Sequence, residues 1–221
     1  MNATVAISTV ADGNMLLRAD KTNPDVIKNR SVFLNKNGID INRTVMICTS
    51  YDGDNYCRYR EISDVDKSIF GHDLEPSDAL ITKSADLALL LPIADCVGAV
   101  LFDPSKKVLM LSHLGRHSLE QNGGFKSIQF LIDNYGCSAS DLLVWLTPAP
   151  GKANYPVFAF DNKSMKEIIF EQLQTAGIPL GNITDDPTDA AVDHKYYSHS
   201  EFLKGNRTDD GRYAIVAIMK D

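Results

Sequence analysis

Residues 94–117 read A-D-C-V-G-A-V-L-F-D-P-S-K-K-V-L-M-L-S-H-L-G-R-H: two apolar runs either side of an Asp103-Pro104-Ser105-Lys106 turn. Two neighbouring strands joined by a tight turn run antiparallel, so the start of the first lies beside the end of the second. Cys96 stands at the mouth of VGAVLF, and His113 closes VLMLSH. A hairpin over this stretch therefore brings a thiol and an imidazole to one edge of a sheet. Such a pair is either a thiolate–imidazolium nucleophile or two-thirds of a metal site. It is also compatible with plain packing, since cysteine is a common small core residue. Asp95, next to Cys96, raises the thiol pKa unless a metal or a cation offsets it. If a metal binds, sulfur and imidazole favour zinc over magnesium or calcium, and a third ligand must come from elsewhere.

The rest of the chain carries segments of both kinds. ATVAIST (3–9), TVMICT (44–49), ALIT (79–82), LALLLPI (87–93), LLVWLT (142–147) and the closing RYAIVAIM read as strands. Asn23-Pro24 opens a helix that Gly38 closes. A second helix follows Gly123-Gly124 and stops at Gly136, and a third spans Asp161 to Ala176 with Ser164 and Glu167 as a capping box. Residues 50–78 read as a polar surface excursion. Strands outnumber helices without regular βαβ alternation, and neither G-x-G-x-x-G nor a P-loop is present. The pattern predicts one α+β domain over 1–221, with mixed or antiparallel sheets covered by helices.

Charge and cysteine usage narrow the partners. A net charge of −7 with no basic run argues against a nucleic-acid surface. No apolar run reaches the roughly 18 residues of a spanning helix. The start lacks a positive segment followed by an apolar one, so no signal peptide is expected. The four cysteines (48, 57, 96 and 137) are scattered without paired spacing and exclude a C-x-x-C zinc ribbon. Reduced thiols in a cytoplasm are expected.

Other candidates flank the hairpin. Arg116 and His117 sit at a strand-to-helix turn suited to a phosphate or carboxylate, although each taken alone reads more simply as part of a solvated basic turn. Asp52 and Asp54 around Gly53 suit a cation or proton transfer, and also a simple Asx turn. His194 and His199 flank a Tyr-Tyr-Ser segment and either could line a pocket.

These motifs resemble the laccase-domain family, also called multicopper polyphenol oxidase-like or peptidoglycan-editing-factor proteins, over nearly the whole length. S-D-A-L-I-T with I-A-D-C is similar to its A-D-A-L-V-T and T-A-D-C block. S-H-L-G-R-H stands where the family has A-H-A-G-W-R-G, T-P-A-P-G resembles G-P-x-I-G, and D-G-R-Y-A-I-V-A-I resembles the closing T-G-R strand. The resemblance implies a four-layer α/β/β/α sandwich with mixed sheets, the layered arrangement of cytotoxic-necrotizing-factor-like deamidases. It implies a zinc-type site of one Cys and two His, with Cys96 and His113 on two of the ligand positions. It implies purine nucleosides as substrates, for phosphorolysis or adenosine deamination, with phosphate as co-substrate. Copper-dependent phenol oxidation fits less well, because no run of His and Met could hold several coppers.

This chain departs from the family pattern. The Q-V-H-G ligand histidine is replaced by S-Y-D-G, which puts Asp52 in its place as an oxygen donor. The W-R-G arginine falls on His117, with Arg116 one position early, and F-S-Y-R-R becomes Y-Y-S-H-S, which brings His199 in. Loss of arginines weakens phosphate binding. Three readings stay open: a zinc enzyme using Cys96, His113 and Asp52, a metal-free Cys–His hydrolase or deamidase, and a non-catalytic paralogue that binds a ligand or partner.

Overall fold

The computed structural model describes residues 2–17, 23–63 and 75–220. Its strands are β1 (Asn2–Ile7), β2 (Thr44–Met46), β3 (Tyr59–Glu61), β4 (Ala79–Thr82), β5 (Ala88–Ile93), β6 (Val97–Asp103), β7 (Val108–Leu114), β8 (Leu143–Leu146), β9 (Ile183–Asp185) and β10 (Tyr213–Lys220). Its helices are α1 (Pro24–Lys36), α2 (Arg116–Glu120), α3 (Gly123–Tyr135), α4 (Met165–Thr175) and α5 (His199–Leu203). One sheet runs β1-β10-β5-β2 and the other β3-β4-β7-β6-β8-β9. Both are mixed: most pairs are antiparallel, but β2 with β5, β3 with β4 and β8 with β9 run parallel.

Side-chain alternation explains the layering. Along β10, Tyr213, Ile215, Ala217 and Met219 face one apolar cluster, while Ala214, Val216 and Ile218 face another. Along β6, Val100 and Phe102 meet the first of these, while Val97, Ala99 and Leu101 point away. The shared cluster is the interior between the sheets. The outer face of the first sheet is covered by Phe33 and Leu34 of α1. The outer face of the second packs against Leu119, Ile128, Leu131, Ile168 and Ile169 of α2 to α4. The result is the expected α/β/β/α order. Strands buried on both faces read as continuous apolar runs rather than alternating ones, which is why VGAVLF and VLMLSH looked as they did.

Local signals fix most element ends. Asn23 accepts hydrogen bonds from the backbone N–H groups of Asp25 and Val26. Gly136 ends α3 at φ 63, a left-handed cap that glycine adopts without strain. Pro92 sits inside β5 opposite Ala214, beyond the last β2 partner Leu90, so no ladder bond is lost on its other side. Gly98 lies in β6 because a Cβ there would stand 2.7 Å from Cγ2 of Ile215 in the facing sheet.

Three boundaries differ from expectation by two residues or more. The third long helix starts at Met165, not Asp161, because Asp161 and Asn162 take positive φ values of 52 and 61. Its capping box at Ser164 and Glu167 is as expected. The first strand stops at Ile7, since Thr9 and Asp12 close a 3-10 turn, and the second stops at Met46. Of the polar excursion over 50–78, residues 64–74 lie outside the described residues, and β3 occupies part of the remainder. All four cysteines are free, and no described helix is long and apolar enough to cross a membrane.

Candidate functional site

The hairpin register sets the site. Val97 pairs with Leu114 and Gly98 with His113, so Cys96 enters just beyond the end of β7. His113 lies two and four residues beyond Leu111 and Leu109, on the same face of β7, and therefore faces the gap between the sheets. The two groups converge on Gly115, the N-cap of α2. A Cβ there would lie 2.8 Å from Cys96 Sγ, 3.2 Å from His113 Cε1 and 3.4 Å from His113 Nε2. The backbone N–H of Arg116, at the start of α2, is among the groups that favour the charged form of Cys96. The main-chain N–H of His113 donates to the Asp78 carbonyl at 2.7 Å.

Two adjoining cavities open on this pair. The smaller, about 110 Å³, is lined by Tyr56, Asp78, Arg116 and His117 together with Tyr51 and Tyr155. The larger, about 300 Å³, shares Tyr51, Cys96, His113 and Tyr155 and adds Asp95, His199, Ser200 and Arg212. Cys96 and His113 thus form the boundary between two chambers. Of the expected site residues, Cys96, His113, Arg116 and His117 meet at the smaller chamber, and His199 lines the larger. Asp52 lines neither: it is exposed, and its carboxylate accepts a 3.0 Å bond from the Ser50 hydroxyl.

The electrostatics keep both central groups neutral. Burial, then the Asp95 charge, pushes the Cys96 thiol up to about 12, with Arg212 and Arg116 pulling the other way. Burial pushes His113 down to about 4, against the pull of Asp78. Burial likewise raises Tyr155, with the neighbouring Cys96 adding to it. A thiolate–imidazolium pair needs the opposite shifts. Asp95 holds a left-handed φ of 68, and its carboxylate is taken by Ser198 Oγ at 2.6 Å and the Ser200 N–H at 2.7 Å.

Several lining groups carried no role in the sequence reading. Asp78, almost fully buried, is gripped by Arg58 through Nε at 2.8 Å and Nη2 at 3.1 Å. The ring of Tyr56 stacks on His117 at 4.7 Å, with Tyr51 edge-on at 6.2 Å. Arg212 bonds Asp210 at 2.7 Å, and the same carboxylate oxygen meets His199 Nδ1 at 2.8 Å. Asp78 and Arg212 stood in quoted motifs, S-D-A-L and D-G-R, but nothing local indicated where they point.

A metal needs more donors than meet here. Cys96 and His113 offer sulfur and a neutral ring nitrogen, the donors of a zinc site. No group of three His, Cys, Asp or Glu able to hold a metal occurs among the described residues. These residues therefore do not fit a three-side-chain metal centre.

Known proteins share the fold. Bacillus licheniformis hypothetical protein YfiH superposes with a TM-score of 0.85 at 20% identity, covering 99% of this chain and 93% of that one. YlmD from Geobacillus stearothermophilus gives 0.84 at 21% identity, covering 99% and 92%. In sequence, the chain is similar to the human protein named purine nucleoside phosphorylase LACC1, 24% identical over 147 residues, which is 66% of this chain and 32% of that protein. It is 23% identical over 148 residues to Bacillus subtilis purine nucleoside phosphorylase YlmD, 65% of this chain and 52% of that one. The matched segment thus spans about a third of the human protein and about half of the Bacillus subtilis one. The family described as multi-copper polyphenol oxidoreductase laccase matches residues 3–167, a stretch that contains the Cys96–His113 hairpin, and the chain belongs to that family.

Proposed function

We propose that the chain is an enzyme acting on purine nucleosides, by phosphorolysis, in the cleft centred on Cys96 and His113. The observation that carries this reading is the pair of arginines on either side of the thiol: Arg116 lines the smaller chamber, Arg212 the larger, and both act on Cys96. The names of the relatives support the substrate class.

In phosphorolysis a phosphate oxygen attacks C1′ of the sugar. The C1′–N9 bond breaks, its electron pair leaves with the base, and the base takes up a proton. The residues needed are cations for the phosphate, an apolar or aromatic wall for the base, and a neutral acid. Arg116, His117 and His199 are the candidates that face phosphate and substrate. Tyr51, Tyr56 and His117 form an aromatic wall. Tyr51 and Tyr155 hold their protons well above neutral pH and can donate them. Adenosine deamination instead needs an activated water, for which His113 is a poor base.

Zinc is the metal that Cys96 and His113 suit, with Asp52 as the expected third donor. The described residues supply only two donors, so no step is assigned to a metal, and copper finds no better set. The raised thiol and depressed imidazole disfavour the metal-free cysteine hydrolase. The missing third donor favours one alternative, a non-catalytic binder, and turnover separates it from an enzyme.

The test is chromatography of inosine, adenosine and methylthioadenosine incubated with purified protein, with and without phosphate. Release of free base and a sugar 1-phosphate only when phosphate is present is the expected result. Absence of product from all three nucleosides, with phosphate and with added zinc, overturns the reading.

A further inference from the structure

Residues 51–56 form the rim of the smaller chamber, which Ser50, Tyr51 and Tyr56 line, and 51–55 are exposed. At the base of the rim, Arg58 Nη2 donates to the Ser50 carbonyl at 2.7 Å. Gly53, at the tip, has nothing within 4 Å of an added Cβ, so packing does not hold the tip in place. Among the described residues, the hydrogen bonds that carry 51–56 beyond their immediate chain neighbours all end on one side chain. That side chain is Gln121, the C-cap of α2. Its Oε1 accepts from the Tyr56 backbone N–H at 3.0 Å, and its Nε2 donates to the Asp54 carbonyl. The other bonds are local: Ser50 Oγ to Asp52, the Tyr56 hydroxyl to the Tyr51 carbonyl at 3.3 Å, and the Cys57 N–H to Asn55.

The side chain suits this task. A primary amide carries an acceptor and a donor side by side, whereas glutamate only accepts and lysine only donates. One glutamine therefore satisfies the Tyr56 N–H and the Asp54 carbonyl together. His117 stands four residues before Gln121, and side chains at that spacing share a helix face. The ring of Tyr56 stacks on His117 at 4.7 Å and 22°, and Tyr51 meets it edge-on at 6.2 Å. The rim is thus fastened, by amide and by ring, to one short helix. The opposite end of that helix is Gly115, on which Cys96 and His113 converge. α2 joins the central pair to the rim as a strut. Gln121 itself lines neither chamber, so its effect on a ligand passes through the tyrosines.

We infer that Gln121 is a positioning residue: acting through the Tyr56 backbone, it latches the 51–56 rim to α2 and so sets how tightly the aromatic side of the cleft receives a base. The role rests on the phosphorolysis reading for what the wall receives, while the latch is measured without turnover. The test compares wild type with two variants. Gln121→Leu removes both bonds, and Gln121→Glu keeps the acceptor for Tyr56 but loses the donor for Asp54. The readouts are the imidazole proton shifts of His117 by NMR, the rate of chymotrypsin cleavage after Tyr51 and Tyr56, and KM and kcat for inosine with phosphate.

In wild type the Tyr56 ring current displaces the His117 signals from those of the exposed His194, and in Gln121→Leu they move toward them. Loss of two hydrogen bonds raises local opening, and cleavage with it, about tenfold. KM for inosine rises about tenfold while kcat stays within about twofold, because the groups at the central pair are untouched. Gln121→Glu falls between wild type and Gln121→Leu on every readout. A residue that only stabilises the fold would lower Tm and leave the His117 shift and KM alone. Unchanged His117 signals and cleavage in Gln121→Leu overturn the latch. A released latch with KM unchanged overturns the positioning role, whether or not kcat falls. If thermal melts show that Gln121→Leu does not fold, Gln121→Glu decides by the same readouts. If wild type turns over no nucleoside, the phosphorolysis reading fails by itself, and the Kd for inosine takes the place of KM. A Kd indifferent to Gln121→Leu, or no binding to wild type, then overturns the positioning role.

Discussion

Gly115→Ala tests the site with one methyl group. The backbone of Gly115 is extended at φ −98 and ψ 174, which alanine adopts freely, so the substitution adds no backbone strain. Its Cβ would stand 2.8 Å from Cys96 Sγ and 3.2 Å from His113 Cε1, both inside van der Waals contact. The thiol and the ring must therefore move apart. Overpacking of this kind costs about 1–3 kcal/mol. For a chain of this size that lowers Tm by about 2–4 °C per kcal/mol, leaving a folded protein. A shift of about 1 Å in the groups that line and position the substrate at the centre of the cleft lowers turnover by about 100-fold. Gly181→Ala, with nothing within 4 Å of its added carbon, is the control and should leave both Tm and rate unchanged. The assay pairs calorimetry with nucleoside turnover. A Gly115→Ala protein with wild-type kcat/KM would refute the claim that Cys96 and His113 converge on the reaction centre.

Further perturbations probe the same environment. With its thiol pushed up to about 12, Cys96 should react with iodoacetamide at pH 8 about a thousandfold more slowly than an ordinary thiol, followed by mass spectrometry; labelling at the ordinary rate would revive the cysteine nucleophile. Because His113 is depressed to about 4, the unfolded chain binds more protons between roughly pH 6.5 and pH 4. Stability should fall through that window by at most about 3 kcal/mol, and urea titrations of His113→Gln should lose this part of the slope. Arg58→Met leaves the buried Asp78 carboxylate without its partner and should destabilise by about 3 kcal/mol, whereas Arg58→Met with Asp78→Asn should recover much of the loss in a double-mutant cycle.

Much of this architecture could be read from local chemistry. The hairpin register followed from two apolar runs and one turn, and it placed His113 beside Cys96 correctly. Helices α1, α3 and α4 carried their own caps, and the Asp95 effect on the thiol followed from adjacency alone. The three-residue strands β3 and β9 were not legible, because each is held by parallel pairing to a distant partner and is too short for periodicity. The same holds for the site. Asp78 and Arg212 reach it from remote segments, and the Arg58 partner of Asp78, 20 residues away, is set by tertiary packing. Asp52, placed by motif position, ends in a local bond with Ser50 because short polar loops satisfy themselves first.

The most direct measurement is a crystal structure of the chain soaked with inosine and phosphate. The account predicts a nucleoside whose sugar C1′ lies against the Cys96–His113 boundary, with its base toward Tyr51 and Tyr56. A nucleoside bound at a different surface, or a boundary left vacant at saturating inosine while turnover proceeds, would contradict it.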